Sequence, residues 1–98
     1  MKITKTENGS SLCLSLEGRL DTNTAPELET VLKASVDGIT ELVIDMQSLD
    51  YLSSAGLRVL LSAQKTMNKQ GSMKVMHVND TIMEIFEVTG FVDILTIE

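Results

Sequence analysis

The sequence predicts a single α/β domain: a mixed sheet of four to five strands, parallel at its centre, packed by three to four helices. Three observations predict it. The chain has 98 residues, room for one hydrophobic core and hardly for two. Along it, the apolar residues switch repeatedly between the period of a strand and the period of a helix. The segments then alternate in the order β-β-α-β-α-β-α-β, which requires crossovers that bring successive central strands back parallel.

The first strand spans Ile3 to Thr6, and Asn8-Gly9 is a strong hairpin signal. Leu12, Leu14 and Leu16 alternate with Cys13, Ser15 and Glu17, so the second strand buries one face. Gly18 is expected to end it, and Arg19 to Asn23 then form a polar loop. Thr24-Ala-Pro-Glu27 starts a helix: Thr24 can cap, Pro26 lies in the first turn, and Glu27 completes a capping box. Leu28, Val31, Leu32 and Ser35 mark its inward stripe, and Asp37-Gly38 stops it.

Glu41 to Asp45 is the third strand, apolar through its middle like a central parallel strand covered on both faces. A polar turn follows. Leu57, Leu60, Leu61 and Met67 then recur at helical spacing, so a second helix runs from about Ser54 to Gln70 and stops at Gly71. Met73 to Val78 is the fourth strand. Asp80 is the expected cap of a short third helix with Ile82, Ile85 and Phe86 inward, closed by Gly90. Phe91 to Ile97 is expected to return as a fifth strand.

Composition narrows the function. The net charge is −6, which argues against direct nucleic-acid binding and against an anionic membrane surface, since both need a basic face. Cys13 is the one cysteine, so no internal disulfide can form and a reducing cytoplasm suits the chain. The N-terminal residues lack the apolar core of a signal peptide, and no run is long enough for a transmembrane helix. A cytoplasmic protein without membrane insertion is expected.

The residues offer little chemistry for an enzyme. There is no G-x-S-x-G elbow, Walker loop or G-x-G-x-x-G, so no cofactor is expected. One His and one Cys, far apart, do not make a metal site. His77, placed in the fourth strand, could serve Ser54 as a general base, but no third group to orient it is evident.

Two loops stand out instead. Ser53 and Ser54 lie where a strand hands over to a helix, beside unpaired N–H groups and a partial positive charge. That environment can hold an anion, such as a phosphate added to a hydroxyl. Spacing alone assigns one serine to the helix cap and leaves the other in an exposed turn. Asp21 reads either as a turn residue bonding nearby N–H groups or as a surface carboxylate near the serines. The two loops share an edge if the second and third strands are neighbours that run alike.

Leu49-Asp-Tyr-Leu-Ser-Ser-Ala-Gly-Leu-Arg-Val-Leu-Leu61 resembles the signature of the STAS family, most closely its bacterial anti-sigma factor antagonists. Gly18-Arg-Leu-Asp-Thr-Asn-Thr-Ala-Pro-Glu27 and the late Thr89-Gly-Phe91 match in the same order, so the resemblance covers nearly the whole chain. It implies a STAS-like domain that works by partner switching and is not an enzyme. The family's phosphorylated serine stands two residues before the Gly of the serine turn, which here is Ser54, with Ser53 the second candidate. The implied partner-binding surface comprises Asp21, Thr22 and Asn23 in one loop and Ser53, Ser54, Ala55, Gly56 and Arg58 in the other. The implied partners are an anti-sigma factor that is itself a serine kinase, and a serine phosphatase that restores binding. Two positions depart from the family pattern: Ser53 stands where many members carry an acidic residue, and Ala55 where a Ser or Thr is frequent. The same fold also serves as a subunit of ABC-type lipid transport systems, docking on the ATPase, and this is the alternative role.

Overall fold

A computed structural model describes residues 1–98. The chain runs through β1 (Lys2–Asn8), β2 (Ser11–Leu20), α1 (Ala25–Ser35), β3 (Glu41–Leu52), α2 (Ser54–Gln70), β4 (Ser72–Met76), α3 (Asp80–Thr89) and a 3₁₀ turn (Phe91–Asp93). The four strands lie side by side in chain order, β1-β2-β3-β4. β1 is antiparallel to β2, and the other two pairings are parallel. The expected mixed sheet packed by three helices is thus present.

Alternation decides which sheet face is buried. Leu12, Leu14 and Leu16 of β2, Leu42, Ile44 and Met46 of β3, and Met73 and Val75 of β4 are all buried. The residues between them are half-buried, so the central strands are less fully covered on their second face than expected. Leu28 and Leu32 of α1, Leu57, Leu60 and Met67 of α2, and Ile82 and Phe86 of α3 join the same core cluster. Gly9, with φ +62°, makes the β1–β2 hairpin turn predicted from Asn8-Gly9.

Several boundaries differ from expectation, each for a physical reason. β2 does not stop at Gly18 but continues to Leu20, and β3 continues through the expected polar turn to Leu52. The cause is pairing between the two strands, which persists to Leu20 opposite Leu52. From Ser15 to Glu17 the partner on β3 advances from Asp45 to Ser48, and from Gly18 to Arg19 it advances from Leu49 to Tyr51. Each step places an extra residue in β3, a bulge that breaks strict alternation. The buried residues there are Met46, Leu49 and Leu52, three apart, which hides the strand from a period-two search.

Helix caps also move. Thr24 precedes α1 but its side chain makes no cap bond, so the capping box with Glu27 does not form. Asn79, not Asp80, caps α3, its Oδ1 accepting from the Ile82 N–H at 2.9 Å. β4 ends at Met76, short of Val78. The expected fifth strand is a 3₁₀ turn followed by a single bridge from Ile97 to Val75. Gly90, left-handed at φ +79°, turns the chain, and the Asp93 N–H closes back on the Gly90 carbonyl.

Candidate functional site

β2 and β3 end together. Arg19 lies opposite Tyr51 and Leu20 opposite Leu52. The Ser53 N–H then donates to the Leu20 carbonyl at 2.9 Å. Because the two strands are parallel, the loop after β2 and the serine turn after β3 leave the sheet on the same edge.

The first loop is organised by Asp21 and Thr24. Asp21 Oδ1 accepts from the N–H of Asn23 at 3.0 Å and of Thr24 at 3.1 Å. Thr24 Oγ1 accepts from the Asp21 N–H at 2.8 Å and donates to the Arg19 carbonyl at 2.7 Å. The side chain that could have capped α1 is therefore spent on closing the loop. Desolvation pushes the Asp21 carboxyl up. The N–H bonds, the Thr24 hydroxyl and the Arg19 guanidinium outweigh it and hold the carboxyl below the usual aspartate value. Both expected roles of Asp21 coexist: it binds local N–H groups, and it stands on the edge that the serines share.

The second loop opens α2. Ser53 is extended at φ −99°, ψ 174°, and its Oγ accepts from the Gly56 N–H at a long 3.5 Å. Its carbonyl accepts from the Leu57 N–H at 3.0 Å. Ser54, the first residue of the helix, is exposed. The cap is thus Ser53, and Ser54 is the hydroxyl left to solvent. α2 has no acidic residue in its first turn, whereas α1 has Glu27 and α3 has Asp80. Its positive end is the one that no carboxylate of its own turn offsets.

The remaining residues divide by burial. Thr22, Asn23 and Arg58 are exposed, and Ala55 is half-buried. Thr22, Pro26, Ala55 and Arg58 line a shallow depression of about 180 Å³ between the two loops. Gly56 is buried, facing the core: a Cβ there would come within 2.7 Å of side-chain carbons of both Leu20 and Leu52. It lets α2 start against the end of the sheet.

Local pattern does not single out two further residues at this edge. The Arg19 guanidinium lies 4.2 Å from the centroid of the Tyr51 ring, and its Nε is 3.8 Å from Asp21 Oδ2. A cation over an aromatic face is held electrostatically. The pairing depends on the bulged register, which no local pattern reports.

His77 lies elsewhere. It follows β4 in the left-handed region at φ +59°, the one non-glycine residue there. Its Nδ1 is 3.0 Å from Asp45 Oδ1, so the carboxylate fixes the proton on Nδ1. Partial burial pushes the Asp45 carboxyl up, but the Gln47 N–H and His77 outweigh it and hold it below the usual value. Met76 pairs with Asp45, and β3 runs on to Leu52. At about 3.3 Å per paired residue, the serine turn is roughly 15 Å or more from the imidazole, so His77 is not placed as a base for Ser54. No three His, Cys, Asp or Glu side chains gather closely enough to hold a metal ion, and no helix is long and apolar enough to cross a membrane.

The family model described as "STAS domain" matches residues 2–98. The chain is similar to BtrV of Bordetella bronchiseptica, which carries the name of a candidate anti-sigma factor antagonist: the two are 36% identical, covering 99% of this chain and 85% of BtrV. It is 32% identical to the anti-sigma-B factor antagonist of Staphylococcus aureus, over 80% of this chain and 74% of that protein. The crystal structure of an anti-sigma factor antagonist from Mycobacterium paratuberculosis superimposes with a TM-score of 0.89 at 25% identity, covering 98% of this chain and 83% of that one.

Proposed function

We propose that this chain, which belongs to the STAS domain family and groups there with anti-sigma factor antagonists, switches partners through the charge on Ser54. Unmodified, it binds an anti-sigma factor that is also a serine kinase, and so frees a sigma factor. Phosphorylation of Ser54 ends that binding, and a serine phosphatase restores it.

One observation carries the choice of residue: the Ser53 oxygen is engaged with the Gly56 N–H, while Ser54 is exposed at a helix start with no acid in its first turn. A phosphoserine carries about −1.5 to −2 charges near neutral pH. The end of α2 favours that charge by about 0.3–1 kcal/mol, so the fold accepts it without rearrangement. A partner covering the same edge would meet an unpaired charge next to Asp21. Burying it costs about 2–5 kcal/mol, a loss of about thirtyfold or more in affinity. The docking edge is Asp21, Thr22, Asn23, Ser53, Ser54, Ala55 and Arg58, with Gly56 beneath it holding the turn in place.

The test uses protein from the native host. Mass spectrometry should find phosphate on Ser54. Wild type should co-purify with a serine kinase of the anti-sigma type, and Ser54→Asp should not, with unchanged circular dichroism. Equal recovery of the kinase by both forms would overturn the reading. Recovery of an ABC-type ATPase, indifferent to Ser54→Asp, would instead favour the transport-subunit role.

A further inference from the structure

We propose that the outer flank of α3, with the segment that follows it, is a second docking surface, and that its occupant is a basic amphipathic helix of a partner protein. A groove of about 400 Å³ runs along this flank, lined by Thr81, Glu84, Ile85, Val88 and Thr89. Those positions recur at helical spacing and so form one stripe. Val88, one of them, is 81% exposed. Four large apolar side chains of the protein are exposed, and three of them, Val88, Val92 and Ile94, fall between residues 88 and 94. Scattered exposed apolar residues mean little, but a concentration of them marks a surface that another molecule covers.

Charge identifies the occupant. Residues 78–98 contain Asp80, Glu84, Glu87, Asp93 and Glu98 and no Lys or Arg, so they hold five of the six net negative charges. Glu98 is paired with Lys74, and Asp80 sits in the first turn of α3, where the helix dipole favours it. Glu84, Glu87 and Asp93 form no ion pair within the chain. A groove that offers Ile85 and Val88 beside Glu84, in a segment with two further unpaired carboxylates, fits a segment with apolar residues on one side and Lys or Arg on the other. A second copy would bring the same acidic rim against itself. A strand added to β4 would find Val75 already taken, because its N–H donates to the Thr96 carbonyl and its carbonyl accepts from the Glu98 N–H.

The test titrates the isotope-labelled chain with a synthetic helical peptide of Leu on one face and Lys on the other, and with a Glu-for-Lys analogue. Amide shifts should concentrate in residues 81–94 and spare 53–58, and the acidic analogue should not bind. Val88→Lys should weaken binding by about tenfold or more, with Glu84→Lys/Glu87→Lys acting in the same direction. Ser54→Asp should leave it unchanged, which separates failure here from failure of the Ser54 switch. The exposure of Val88 makes unfolding by the substitution unexpected, and circular dichroism checks it. Shifts centred on the serine turn or spread over the surface would overturn the proposal. So would indifference to Val88→Lys, or a concentration-dependent dimer of the chain that Val88→Lys abolishes.

Discussion

The Ser53 N–H donates to the Leu20 carbonyl at 2.9 Å, joining the residue after β3 to the last residue of β2. The Asp21 loop and the serine turn therefore cannot move apart without breaking a backbone bond next to the buried Leu20 and Leu52. A partner that reads both loops meets one preformed surface, and little ordering entropy is lost on docking.

The two adjacent serines should separate cleanly by substitution. Ser53→Ala removes the cap and should cost about 0.5–1 kcal/mol, at the low end because the bond is long. Ser54→Ala, at an exposed position, should change stability by less than about 0.5 kcal/mol while abolishing phosphate incorporation. Urea melts and phosphate mapping on the two variants check this. A larger loss of stability for Ser54→Ala would contradict the assignment of the cap.

Thr24→Val should destabilise by about 1–2 kcal/mol. The isosteric methyl cannot accept from the Asp21 N–H or donate to the Arg19 carbonyl, so two polar groups lose their partner. Hydrogen exchange should quicken at residues 21–25 and not in α2. Removing Glu27, by contrast, should leave that loop untouched, since no capping box exists to break.

Gly71→Ala should cost at least about 2 kcal/mol. The added Cβ would land on the Thr40 carbonyl, which is held in place by accepting from the Ser72 N–H at 2.9 Å. A backbone group pinned in this way cannot rotate aside as a side chain could. A shift of the urea midpoint no larger than that of an exposed-surface control would show that the approach is looser than described.

Asp45 gives a pH signature. Its carboxyl is held below the ordinary aspartate value of 3.8, so its contribution to stability is complete above that value and is lost as pH falls through the lower folded value. His77→Ala removes one of the two groups that hold it down. The Asp45 carboxyl should then titrate at higher pH by carbon-detected NMR, and stability should fall less steeply between about pH 5 and pH 2 than in wild type. An unmoved Asp45 titration would mean that the Gln47 N–H does this alone.

Much of this was written in local pattern, and what was not has identifiable causes. Asn8-Gly9, the helical stripe from Leu57 to Met67, and Gly90 each act within a few residues of themselves, and each lies where its chemistry implies. The strand from Met46 to Leu52 was hidden because its bulges are set by pairing with β2, some thirty residues away in sequence. The caps failed for a different reason. Thr24 and Asp80 carry the right side chains, but the Thr24 hydroxyl is engaged by the Asp21 N–H and the Arg19 carbonyl, and Asn79 supplies the oxygen that caps α3. At the site, the serine turn and Asp21 were visible as residue types, while the stacking of Arg19 on Tyr51 exists only once the bulged register is formed.

Sheet order here matches chain order. During synthesis on the ribosome, each newly emerged strand can therefore attach to a border its predecessors have already laid down, and none must be wedged between two settled neighbours. Such a layout suits assembly from the amino end forward, with few wrong partners to unmake along the way.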